Sequence, residues 1–303
     1  MARSIYIASP NAGTGKSTVA LGLVSCLTKV VAKVGVFRPF VESREGDAFL
    51  SLLLNRAGST TPPEQCVGAT WDEFHADPEE ALARIVDAYR AMAREHDVVI
   101  IDGSDFTDVA GNPELALNAR VAANIGVPVL LVVSGQHDVE DVVASVEVSM
   151  AEIADNHART VAVVANKCLP ETRQAVGEAL TAIEGITSTT LPEVPLLAAP
   201  VVREVLDAVE GTLIAGDETL LDREAESVLV CAMDVSHVLE RLTAGQLAIV
   251  PADRSAMLIS LMAAQASSSF PILSGLILNG GFEVAPHALR LLEGLDVNIP
   301  VMT

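Results

Sequence analysis

Short, nearly uninterrupted apolar runs alternate along the chain with longer stretches whose apolar residues recur at helical spacing. Residues 4–8 (SIYIA), 34–37 (VGVF), 97–101 (DVVII), 127–133 (VPVLLVV) and 160–165 (TVAVVA) are runs of the first kind. A strand wetted on one face alternates apolar with polar; these do not, so they predict strands covered on both faces, as in a parallel sheet. Between them, residues 17–28 carry Val19, Leu23 and Leu27 at helical spacing with Val24 beside them, and residues 81–94 form an amphipathic helical pattern. Strands alternating with helices, joined by right-handed crossovers, predict a doubly wound, mostly parallel α/β sheet. Pro39 closes the second run, and residues 58–65 (GSTTPPEQ) read as an exposed loop. Residues 191–199 (LPEVPLLAA) read as the last edge of this domain.

The pattern shifts over residues 211–217, and a second, shorter α/β series begins. It predicts strands at 227–232, 246–250, 272–278 and 297–302, with helices at 235–242, 255–266 and 286–292. The division is therefore expected as 1–212 and 213–303. A chain that stops on an apolar strand reads as a portion of a longer protein.

Composition narrows the field. Half the residues are hydrophobic, yet aromatics amount to seven Phe, two Tyr and one Trp, so the core must be Val, Leu, Ile and Ala. The net charge of −21 repels phosphodiester backbones and argues against nucleic acid as the partner. No apolar run is long enough for a signal peptide or membrane span, which predicts a cytoplasmic protein without a membrane role. Cys26, Cys66, Cys168 and Cys231 are scattered without metal-binding spacing, consistent with reduced thiols. The high apolar content suggests surface covered by other subunits, hence a homo-oligomer.

The strongest chemical signal is Ser9-Pro10-Asn11-Ala12-Gly13-Thr14-Gly15-Lys16-Ser17-Thr18, between a predicted strand and a predicted helix. Gly13 and Gly15 permit positive φ, so successive N–H groups of residues 11–18 can face a phosphate at a helix N-terminus. Lys16 would reach the β- and γ-phosphates and the Ser17 hydroxyl would ligate Mg²⁺, which predicts ATP or another nucleotide as ligand. Pro10 stands where the usual motif has its first glycine, and the alternative is a Gly-rich turn with a surface lysine.

Other residues fit the same site. Asp102, after the run 97–101, is placed to hold Mg²⁺ directly or through water, or else is a turn acid. Asp47 is a second metal-side candidate or a helix N-cap. Asn166, with Lys167 beside it, could bond a purine edge, or the pair could simply end a strand. Arg38 has a guanidinium fork suited to phosphate or carboxylate, with a solvated strand end as the alternative. The six histidines form no cluster in sequence and suggest neither metal nor catalytic triad.

These residues carry a resemblance. SPNAGTGKST, VFRPF, REGDA, VVIIDG, VVANK and LPEVPLLAAP resemble the N-terminal part of long-form bacterial phosphate acetyltransferase, itself similar to dethiobiotin synthetase. IVPADRS and LILNGGFE resemble the DRTGG domain that follows in those enzymes. The resemblance implies a P-loop NTPase-like domain followed by a smaller α/β domain. It implies that acetyl transfer between acetyl-CoA and phosphate belongs to a C-terminal domain outside this chain. It also implies a role in oligomerisation and in regulation by a small-molecule effector. Dethiobiotin synthetase has glycine where Ser9 stands, lysine where Arg38 stands and glutamate where Asp102 stands, so its ATP-dependent ligase activity is an alternative in doubt. A third reading is an interaction module with a disused phosphate loop. Ser255-Ala256-Met257 replaces the Thr-Gly-Gly of the second domain's name, and Asn279-Gly280-Gly281 reads as a left-handed turn or an anion nest.

Overall fold

A computed structural model describes residues 3–44, 46–104, 114–294 and 298–303. The chain divides into two compact units, Met1–Glu193 and Val194–Thr303.

The first unit is built on β1 (Arg3–Ala8), β2 (Val34–Val41), β3 (Val67–Thr70), β4 (Val98–Asp102), β5 (Val129–Ser134), β6 (Thr160–Cys168) and β7 (Thr187–Pro192). They pair in the order β3-β2-β4-β1-β5-β6-β7, each pairing parallel. The helices are α1 (Lys16–Leu27), α2 (Ala48–Ala57), α3 (Trp71–Ala76), α4 (Pro78–Glu95), α5 (Glu114–Ile125), α6 (Val139–Asp155) and α7 (Arg173–Thr181). α1 packs with α2, whereas α4, α5, α6 and α7 pack in succession. Right-handed crossovers in opposite directions from the sheet centre put these two groups on opposite faces, which is the doubly wound architecture. That is why Val129 to Val133 are buried without interruption.

Local chemistry sets the element ends. Asp77 caps α4 by accepting from the Glu79 and Glu80 N–H groups, with Pro78 at its first position, so the helix starts three residues before its amphipathic run. Thr70 and Glu73 form a reciprocal capping box on α3. β2 continues through Pro39, where the sequence pattern closes it. β4 pairs with Val34 to Phe37, and β3 pairs beyond that through Arg38, Phe40 and Val41, so no ladder bond falls on the missing N–H of Pro39. The final edge strand is the polar TSTTLP of β7, rather than residues 191–199, in which Pro195–Leu197 form a 3-10 turn.

The second unit comprises α8 (Val202–Ala208), β8 (Leu213–Ala215), β9 (Ser227–Val230), α9 (Val235–Leu239), β10 (Gln246–Pro251), α10 (Ser255–Gln265), β11 (Gly275–Asn279), α11 (Pro286–Gly294) and β12 (Val301–Met302). Its sheet runs β8-β12-β11-β10-β9, parallel except that β8 opposes β12. Ala248, Val250, Leu276 and Leu278 pack with Val238, Leu258, Leu261 and Ala288 of the helices. The alternate residues Leu247 and Ile277, with Met302, pack with Val202 and Leu206 of α8. α8 thus packs on the second sheet, and the chain separates into its two compact units after Glu193, ahead of residue 212 where the sequence pattern shifts. Among the described residues, no helix is long and apolar enough to cross a membrane.

Candidate functional site

All strands of the first sheet point the same way, so the loops after β1, β2, β4 and β6 open at one edge. The chain order reverses about β1, the position at which open α/β sheets form a ligand crevice. The loop after β1 carries Gly13 at φ 76° and Gly15 at φ 80°, both left-handed, and Gly15 caps α1 with no side chain in the way. The first N–H groups of α1 are thus presented by backbone alone.

The end of β6 braces this loop from two strands away. The Asn166 Nδ2 donates to the Thr14 carbonyl at 2.8 Å, and the Lys167 Nζ donates to the Gly13 carbonyl at 2.7 Å. A Cβ on Gly15 would collide with the Asn166 amide, so this position requires glycine for space as well as for φ. Lys167 itself stands at φ 60°. Thr14 and Lys16 are buried, Gly15 and Ser17 half-buried, and Asn11, Ala12, Gly13 and Thr18 exposed.

Lys16 turns inward. Its ammonium donates to Asp102 at 2.9 Å and to the Gly103 carbonyl, and both charged side chains are almost wholly buried. Arg38, at the end of the β2 run that faces β4, pairs with Asp47, and its Nε lies 3.4 Å from the second oxygen of Asp102. It is therefore a paired, half-buried arginine and not a solvated strand end. Asp47 caps α2 by accepting from the Leu50 N–H at 2.8 Å, and its other oxygen takes Arg38. Of its two sequence readings, capping is the one seen. Among the described residues, the structure brings the cations Lys16 and Arg38 together with the anions Asp47 and Asp102, and paired charges of this kind tolerate burial.

The oxygen donors suit a hard cation. Among the described residues, Asp102 Oδ2 has no hydrogen-bond partner although it is buried. It stands beside the first turn of α1, where Ser17 carries a hydroxyl. Hydroxyl and carboxylate oxygens, completed by phosphate and water, make a Mg²⁺ set rather than a protein-only metal cage. Among the described residues, no group of three or more His, Cys, Asp or Glu side chains could hold a metal.

Nothing in the residue pattern signals a further set of hydrogen bonds behind Asp102. The Tyr6 hydroxyl donates to Asn118 Oδ1 at 2.7 Å, and Asn118 also bonds Ser104 and Glu114. Tyr6 sits inside an apolar strand and Asn118 inside a helix, and only the folded chain joins them. In the second unit, Gly280 and Gly281 have φ of 95° and 68°, the geometry of a left-handed turn. Arg254 donates to the Ala232 carbonyl at 2.8 Å and so fastens the turn after β9.

A family model for an AAA domain matches residues 3–205. The chain belongs to that family. A DRTGG domain model matches residues 204–303. The whole chain aligns at 28% identity with phosphate acetyltransferase of Nitratidesulfovibrio vulgaris, covering 45% of that protein. It aligns at 25% identity with phosphate acetyltransferase of Synechocystis, again over 100% of this chain and 45% of the relative. The chain thus spans less than half the length of these relatives, and it corresponds to their N-terminal region. Among solved structures, chloroplast FtsY from Physcomitrella patens aligns with a TM-score of 0.44 at 18% identity, over 64% of this chain and 59% of that one.

Proposed function

We propose that residues 1–303 act as the regulatory and assembly portion of a phosphate acetyltransferase, with a nucleotide site in the first unit. The observation that carries this reading is the phosphate cradle itself. Two left-handed glycines open the loop backbone, and Lys16 stands at its base on Asp102. ATP with Mg²⁺ is the ligand the cradle suits. An incoming phosphate would draw Lys16 from Asp102, and Mg²⁺ held by Ser17 and Asp102 would offset the carboxylate's charge. Asn166 and Lys167, held against the loop through the Thr14 and Gly13 carbonyls, are the candidates for contact with a base. Asp47 serves the site through Arg38 rather than as a metal ligand.

Acetyl transfer between acetyl-CoA and phosphate is assigned to sequence outside these residues. The co-linear match to less than half of each relative supports that assignment. Nucleotide binding would regulate by favouring one state of a homo-oligomer. The ligase reading draws no support from the site, because Arg38, standing where dethiobiotin synthetase has its lysine, is taken up by Asp47 and Asp102.

The test supplies this chain with acetyl-CoA and phosphate, and separately with Mg-ATP. The reading expects no acetyl phosphate and saturable Mg-ATP binding. Acetyl phosphate formed by this chain alone would overturn it.

A further inference from the structure

Asn118 is fully buried on α5, and both ends of its amide are engaged. Its Oδ1 accepts from the Tyr6 hydroxyl at 2.7 Å and from the Ser104 N–H at 3.0 Å. Its Nδ2 donates to the Glu114 carbonyl at 3.1 Å and to the Ser104 carbonyl at 3.4 Å. Two donors meet one amide atom and two carbonyls meet the other, so the partners themselves fix which way the amide points. Tyr6 remains a donor throughout the physiological range. Burial above all, with the negative charges of Asp102 and Glu114, holds its phenol well above its ordinary value.

Ser104 is two residues beyond Asp102, and the residue between them is locked as well. The Gly103 N–H donates to the Ile7 carbonyl at 3.0 Å, while its own carbonyl accepts from Lys16. A Cβ on Gly103 would lie 2.6 Å from Asn118 Oδ1, 2.7 Å from the Ile7 carbonyl oxygen and 2.8 Å from the Tyr6 ring. The turn from Asp102 to Ser104 is therefore pressed between β1 on one side and Asn118 on the other. β1 is also the strand that delivers the phosphate loop, so Tyr6 links the two halves of the cradle.

We propose that Asn118, braced by Tyr6, is a positioning residue for the phosphate site: it fastens Ser104 to the start of α5 and so sets Asp102 and the Gly103 carbonyl against Lys16. This rests on the reading of the cradle as a Mg-nucleotide site. A network that merely stabilises the core would lower the melting temperature when cut and leave ligand affinity alone.

The chain's two tyrosines provide a matched comparison. The Tyr89 hydroxyl donates to Ser4 Oγ of β1 at 2.8 Å, also from a buried ring, here carried by α4. Mg-ATP titration and thermal melting are measured for the unsubstituted chain and for Tyr6→Phe, Asn118→Ala and Tyr89→Phe. Tyr6→Phe, nearly isosteric, keeps the test open should Asn118→Ala fail to fold. The expected result is a Kd raised about threefold to tenfold in Tyr6→Phe, the reach of one hydrogen bond, and more than about tenfold in folded Asn118→Ala. Tyr89→Phe is expected to melt earlier with Kd within about twofold of the unsubstituted chain, since its lost bond is remote from the cradle. Unchanged affinity in Tyr6→Phe, or equal weakening in Tyr89→Phe, overturns the proposal while the nucleotide site stands. An unsubstituted chain that takes up no Mg-ATP overturns the nucleotide reading and this proposal together.

Discussion

Lys16 and Asp102 face each other at 2.9 Å with side-chain exposures of 1% and 0%, and the first turn of α1 thereby leans on the end of β4. In a buried pair each charge depends on the other, so removing one takes away much of the second's compensation, although Asp102 would keep Arg38 at 3.4 Å. Lys16→Met is expected to destabilise the first unit by about 3 kcal/mol, and Asp102→Leu by a similar amount. The double substitution should cost less than the sum, with a coupling of about 2 kcal/mol. Urea unfolding of the four proteins measures the cycle. Strict additivity would mean that the pair does not act as a unit.

Gly15 carries two constraints that can be separated. Gly15→Ala meets left-handed strain and a collision with the Asn166 amide, and should destabilise by about 1–3 kcal/mol. Adding Asn166→Ala removes the collision but not the strain, so part of the loss should return. Chemical denaturation of the single and double variants checks this. No recovery would show that φ alone dictates glycine here.

Glu73 links acid pH to the packing of α3. The Thr70 N–H, bonded to its carboxylate, lowers its pKa most. Burial opposes this, and Arg44 and Arg84 add to the lowering. A depressed carboxylate contributes stability above its unfolded value, near 4.5, and loses it as pH falls through the folded value. Melts of the unsubstituted chain and Glu73→Gln should therefore differ at neutral pH and converge in acid below that range. A constant difference at every pH would remove Glu73 from the acid response.

The thiols should react in order of access. Burial pushes Cys66 and Cys231 up to about 11 and raises Cys168, whereas Cys26 is exposed. An alkylating reagent at mildly alkaline pH should modify Cys26 first and the other three only on unfolding. Peptide mapping by mass spectrometry reads the order. Prompt modification of Cys66 in the folded chain would contradict its burial.

The central strands were legible because both faces are covered and their sequences are continuously apolar. β7 was not, because an edge strand paired only with β6 has no reason to be apolar, and its TSTTLP looks like a loop. Pro39 misled in the same way: a proline normally ends a strand, but here it falls past β4 and between the residues paired to β3. The phosphate loop announced itself by local spacing, since its glycines, lysine and serine are neighbours in the chain. The Arg38–Asp47 pair could not be read because it forms only when the segment after β2 folds Asp47 back onto that strand. The Asn118 clasp could not be read because it joins a strand, the end of β4 and a helix that are far apart in sequence.

The central claim is that the cradle on Lys16 takes Mg-nucleotide. Calorimetric titration of Mg-ATP into the chain tests it most directly, with Lys16→Ala as the comparison and a thermal melt to establish that the variant is folded. The account predicts saturable binding at micromolar to millimolar Kd, lost in the folded variant. Absence of both heat and thermal stabilisation in the unsubstituted chain, or equal binding by folded Lys16→Ala, would contradict it.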